Sequence, residues 1–258
     1  MIARLKFTKL GKVRWTSHRD VARMWERALR RAGLPVAYSG GFSPRPRLSF
    51  GLALPTGCES LAEYLDVALE TDLHPEDVMH AVAPELPAGV GVVASGEATS
   101  GSGSLQEEVS SCTWEIHVPG SSPEGLRNSV SETMAAAHLP VERERKGRSV
   151  QDDLRPSLLS LSVADCAMHQ VHEPERPSPQ HMSGPHPQDQ EQHPPAAVLV
   201  AELATRPRGV RPVELAHVMG IELGLSRRTR QWIERDGSKY EPLDERAAVA
   251  AVCVERAS

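Results

Sequence analysis

Short alternating runs and helical runs follow one another along this chain in an order that occurs twice. Leu5 and Phe7 alternate with Arg4, Lys6 and Thr8, the two-residue period of a strand with one buried face. Lys9-Leu10-Gly11-Lys12 reads as a turn, and Val13-Arg14-Trp15 as a return or extension of the strand. Val21, Met24, Trp25, Ala28, Leu29 and Ala32 then fall on one helical face. Ser17 is placed to cap that helix, Asp20 to complete the capping box, and Gly33 and Pro35 to end it. Leu48, Phe50, Leu52 and Leu54 alternate again, and after a Pro-Thr-Gly turn Leu65, Val67 and Leu69 do the same, which predicts a hairpin. A short helix over 75–82 and a strand over 90–94 complete a βαββαβ order, that of a ferredoxin-like unit.

Residues 95–111 are rich in Ser and Gly and read as a flexible linker. The pattern then restarts. Trp114, Ile116 and Val118 alternate, and Ser122-Pro123-Glu124 opens a helix with Leu126, Val130, Met134 and Ala137 inward. A polar edge strand is expected over 141–145, further strands at Leu159–Val163, Val198–Leu203 and Arg228–Glu234, and a helix over 212–220. The fold class predicted is therefore α+β: two tandem ferredoxin-like units at 1–94 and 112–236, with a tail at 237–258. Seven prolines and five histidines within residues 168–195 predict a disordered insertion in the second unit.

At 258 residues and 40% hydrophobic content the chain can build a substantial core. No run approaches the ~18 apolar residues of a membrane span, and no signal-like block opens the chain, so a cytoplasmic protein is expected. Cys58, Cys112, Cys166 and Cys253 form no Cys-x-x-Cys pair, and the five insertion histidines are irregularly spaced, so neither metal nor cofactor is expected. Charge sharpens the picture more than composition does. The net charge is −5, yet residues 1–50 hold twelve Lys/Arg against two Asp/Glu, which points to an anionic partner at one face or to a solvated basic surface.

Candidate chemistry gathers in that basic stretch. Arg19, Arg23, Arg27, Arg30 and Arg31 lie opposite the apolar face of the first helix, and guanidinium groups suit phosphates. Gly40-Gly41-Phe42-Ser43-Pro44-Arg45-Pro46-Arg47 reads as a presented binding loop, with Phe42 either a core plug or a base-stacking platform. It is too short for a P-loop and lacks the Lys-Ser/Thr ending. His18 is a candidate general base or phosphate-orienting group beside those arginines, or an exposed first-turn residue. Asp66 is placed to hold a loop arginine, and Asp153 and Arg155 to pin each other at a domain junction. The aromatic strand signature of an RNA-recognition motif is missing, since residues 47–54 offer only Phe50.

Tyr-Ser-Gly-Gly-Phe-Ser-Pro-Arg-Pro-Arg-Leu-Ser-Phe-Gly over residues 38–51, preceded by Thr16-Ser17-His18-Arg19-Asp20 and Glu26-Arg27-Ala28-Leu29-Arg30-Arg31-Ala32-Gly33, resembles the radical SAM-linked (radical SAM-associated) protein family. The resemblance is dense over 2–93 and thinner over 113–235, where Asp153-Leu154-Arg155-Pro156 and Arg211-Pro212-Val213-Glu214-Leu215 resemble later landmarks. Ser43 and Arg45 stand where the family pattern commonly carries Asn and His. Such proteins occur beside or fused to radical SAM proteins, which implies a radical SAM partner. The cysteine motif of the radical SAM enzyme itself is absent here. The resulting expectation is a non-catalytic RNA-binding accessory module working in RNA modification, with contacts from Arg19, Arg23, Phe42, Ser43, Arg45 and Arg47. A metal-free RNA-processing enzyme using His18, and a protein adaptor docking through the arginine face, are the alternatives.

Overall fold

A computed structural model describes residues 1–98, 104–145, 147–164 and 197–243; the expected 168–195 insertion and most of the tail lie outside the described residues. The chain forms β1 (Ile2–Lys9), α1 (His18–Arg31), β2 (Leu48–Phe50), β3 (Glu59–Ala68), α2 (Pro75–Val82) and β4 (Val90–Glu97). It continues with α3 (Leu105–Glu108), β5 (Val109–Val118), α4 (Pro123–Ala135), β6 (Pro140–Arg145), β7 (Arg148–Asp153) and β8 (Leu158–Val163). The last described elements are β9 (Ala197–Ala204), α5 (Pro212–Met219), β10 (Ser226–Arg235) and β11 (Ser238–Tyr240). Among the described residues, nine strands make one largely antiparallel sheet in the order β4-β1-β3-β10-β5-β9-β8, with β2 added to β3 and β11 to β10.

The sheet is continuous because the first half meets the second edge to edge. β3 pairs with β10 in parallel through only two register positions, Glu59 with Arg227 and Ser60 with Arg228. Cross-strand partners share a face. Glu63 stands opposite Phe7 in the first core, Arg228 opposite Trp114 in the second, and the Arg228 guanidinium reaches Glu63. Both apolar cores therefore lie on the same side of the sheet.

Each half has its own core. Val21, Trp25, Ala28 and Leu29 of α1 and Val78 and Val82 of α2 pack on Leu5, Phe7, Leu65 and Val67. Trp25 is fully buried and meets Phe7 edge to face at 4.9 Å. Burying side chains of this size contributes roughly 1.5–3 kcal/mol apiece. Ser17 caps α1 by accepting from the Asp20 N–H, as its position in the sequence predicts. The second core joins Leu126 of α4 and Leu215 of α5 to Trp114, Ile116, Leu199 and Leu203.

Several elements differ from the sequence expectation. Residues 11–15 form a 3-10 turn, because Gly11 takes a positive φ and breaks the strand. The alternating 48–54 run pairs with β3 only over Leu48–Phe50; Leu52 and Leu54 turn away to pack on the second core. The expected linker is shorter than 95–111, since β4 extends to Glu97 and α3 and β5 begin at Leu105 and Val109. Residues 141–145 are not an edge of the main sheet but pair with β7 as a separate hairpin. In β8 a register shift buries Leu158 and exposes Leu159. The start of the tail is also structured: β11 pairs with β10, Arg4 donates to the Pro242 carbonyl, and Lys6 binds Glu241 at 2.8 Å.

Candidate functional site

Two regions of the molecule carry features of a binding site. The first is the basic surface of the N-terminal half. Backbone bonds between Ser39 and Arg45 and between Arg47 and Ala37 close the 38–47 loop into a protruding turn. Gly41 at its tip has φ +109°, and Phe42 is wholly exposed, so it is no core plug. Ser43, Arg45 and Arg47 are exposed on the same loop. Among the described residues, no ion pair or side-chain hydrogen bond engages the guanidinium groups of Arg19, Arg27, Arg30, Arg45 or Arg47. Arg23 pairs with Asp20 at 3.3 Å, and Arg31 with Glu85 at 2.9 Å.

The other predicted residues do not converge on this loop. Asp66 is held by Arg4 in a two-pronged ion pair at 2.8 and 3.0 Å on the sheet face away from α1 and α2. Strand alternation puts Glu63 on the opposite face from Asp66, and there it pairs with Arg228 at the seam. Asp153 accepts from the Leu139 and Arg155 backbone N–H groups and binds His138 Nδ1 at 2.9 Å. These partners hold its carboxyl down at about 2, the His138 contact first among them. Arg155 instead donates to the Leu158 and Met134 carbonyls. The pair therefore pins the base of the β6–β7 hairpin within the second half, not a junction between halves. His18 lies edge-on against Phe50, ring centroids 5.3 Å apart. Phe50, not a loop arginine, is its ring partner.

The second region is a cavity of about 900 Å³ over the β3–β10 seam. Its floor holds Cys112, Trp114, Ser226 and Arg228, its walls Trp15 with residues 52–58 on one side and 203–205 with 209–213 on the other. Gly57 has φ +91°, and a Cβ there would stand 3.0 Å from the Trp15 ring, so glycine lets the indole lie close over the loop. Arg228 is only 2% exposed; it donates to Glu63 at 2.5 Å, donates to the Leu52 carbonyl at 2.8 Å and sits over the Trp114 ring. Burial opposes its charge, but Glu63 and the Cys112 sulfur outweigh that and hold its pKa above the ordinary value. Burial raises the Cys58 and Cys112 thiols, so neither is an activated nucleophile. Nearby, burial lowers Lys9, whose ammonium donates to the Thr16 carbonyl at 2.9 Å.

One wall is the first turn of α5. Glu214 accepts from the Arg211 N–H at 2.8 Å and from Arg208 at 3.1 Å, while Arg208 also binds Asp152 at 2.6 Å. Arg143 adds longer contacts to both acids. The cavity escaped sequence reasoning because its lining comes from separate stretches of both halves. The only available signal was the Arg211-Pro212 pair opening a helix. Among the described residues no cluster of three or more His, Cys, Asp and Glu could hold a metal, and no helix is long and apolar enough to cross a membrane.

Comparison with known proteins adds a family. No curated protein matches the sequence. Among solved structures, a chain from the "Crystal Structure of a Cbf5-Nop10-Gar1 Complex" is similar at a TM-score of 0.41 and 12% identity; the match covers 89% of this chain and 48% of that one, so this chain spans about half its length. Residues 3–181 match the DUF2344 family, and the chain belongs to that family, described as an uncharacterized protein conserved in bacteria.

Proposed function

We propose that this protein is a non-catalytic RNA-binding module that serves a radical SAM enzyme in RNA modification. The observation that carries the RNA part is the exposed Phe42 beside Arg45 and Arg47, two guanidinium groups with no ion-pair partner among the described residues. Unengaged guanidinium groups suit phosphates, and an exposed ring at a loop tip suits stacking on an unpaired base. Arg19, Arg27 and Arg30 extend the positive surface along α1. The radical SAM partner rests on the sequence resemblance.

Tandem ferredoxin-like halves are part of this reading. The strand orders β4-β1-β3-β2 and β10-β5-β9-β8 are alike, and in each half the first and third strands are followed by a helix, with the β6–β7 hairpin inserted in the second. The halves then correspond to the 1–94 and 112–236 units, laid side by side. Fluorescence anisotropy with labelled bulk tRNA at two salt concentrations tests the RNA reading. Binding weakened about tenfold in Arg45→Ala/Arg47→Ala, with a salt slope shallower by roughly two, is the expected result. Equal weak binding by both proteins overturns it and leaves the arginine face as a protein-docking surface.

A further inference from the structure

We propose that the seam cavity binds a single nucleotide, with a planar base against the exposed Trp15 ring over the cavity floor and a phosphate at the first turn of α5. This does not rest on the RNA reading, because none of the loop arginines lines the cavity. Three observations support it.

The first is a pair of unsatisfied donors. Trp114 and Ser226 line the cavity and are each 3% exposed, yet Trp114 Nε1 and Ser226 Oγ find no hydrogen-bond partner among the described residues. Buried polar atoms without partners are rare and costly. An indole N–H can only donate, so the group that satisfies it must be an acceptor such as a base carbonyl or ring nitrogen. The second is shape. A cavity of about 900 Å³ with the exposed Trp15 indole on one wall is in the range that encloses a ligand of nucleotide size, and an exposed aromatic face stacks on any base.

The third is charge at α5. Three guanidinium groups, Arg143, Arg208 and Arg211, surround two carboxylates, Asp152 and Glu214. Arg208 and Arg143 each reach both acids, which leaves the exposed Arg211, 4.0 Å from Glu214, as surplus positive charge. It stands at the N-cap of an eight-residue helix whose first residues line the cavity. A helix start with a surplus guanidinium favours a phosphate.

The nucleotide can arrive free or as an unpaired residue of an RNA, and the experiment separates the two. Isothermal titration calorimetry of the full chain uses AMP, GMP, CMP, UMP, the matching nucleosides, a 5′-phosphorylated single-stranded trinucleotide and a blunt duplex. At least one mononucleotide, or the trinucleotide, is expected to bind in the submillimolar range; tighter trinucleotide binding assigns the source to RNA. Arg211→Ala should weaken nucleotide binding about tenfold and nucleoside binding little. Trp114→Phe keeps the ring, removes the donor and should weaken both severalfold. Thermal melting checks that the Trp114 variant is folded, and the exposed Arg211 site tests the proposal independently of that. No binding of any probe up to several millimolar, or binding that neither variant alters, overturns the proposal. Loss of tRNA binding in Arg45→Ala/Arg47→Ala bears only on the RNA reading, so the two can fail separately.

Discussion

The loop surface and the seam cavity show two ways of placing arginine. Arg45 and Arg47 stand in solvent on a turn closed by backbone bonds, with side chains free to follow a partner. Arg228 is sealed at the joint between the halves and spends its donors on Glu63 and the Leu52 carbonyl. The exposed groups add little to folding and offer long-range attraction, which salt screens. The buried one takes part in the fold and is screened far less. The exposed charge and the buried charge are thus held apart, one on a loop and one within the sheet.

The comparison breaks most visibly at the seam. Glu63→Ala leaves Arg228 buried without its carboxylate and should cost about 3–5 kcal/mol in urea unfolding. Replacing both by apolar residues, Glu63→Leu with Arg228→Met, should cost much less than the single change, since an apolar pair carries no desolvation penalty. If the single change is harmless, the Glu63–Arg228 pair does not hold the seam, which Arg227 and Glu59 also bridge at 2.7 Å. Next in size is Phe42→Ala, expected to weaken tRNA binding by about 1–3 kcal/mol without changing the melting temperature. A melting shift of several degrees would mean that Phe42 supports the fold.

Smaller effects sharpen the contrast. Ser17→Ala removes the α1 cap and should cost about 1 kcal/mol, read by denaturant midpoint, because the Asp20 N–H then loses the Ser17 hydroxyl and keeps only the Ser17 carbonyl as acceptor. Asp153 lines neither the loop nor the cavity and serves as a control. Its carboxyl is lowered from 3.8 to about 2, so the stabilisation it gives is complete above the unfolded value and is lost as pH falls through about 2. Acid unfolding followed by circular dichroism should show Asp153→Asn less stable than the parent at neutral pH, the difference shrinking as pH drops through that window. A difference independent of pH would contradict the charged role.

Element order was legible in the sequence because strand and helix periods are local. The Leu5/Phe7 alternation, the α1 face with its Ser17 cap, and α2 with Val78 and Val82 inward all stand where the pattern put them. The loop at 38–47 was legible too, since paired prolines and glycines mark exposed turns. The seam was not. Glu63 and Arg228 lie 165 positions apart, and each alone looks like a polar residue on a strand face. Leu52 and Leu54 kept a strand period while the chain left the sheet, because their partners belong to the second core. Asp66 was misassigned for the same reason: Arg4 faces it across a ladder, and periodicity reports a residue's face without naming its neighbour.

The Arg228 contacts also have an evolutionary consequence. One guanidinium holds the acid of the opposite half and the carbonyl of the loop that walls the cavity. A lineage cannot drift at position 63 or 228 alone without loosening the joint and reshaping the cavity at once. Within the family, these positions should therefore change together or not at all.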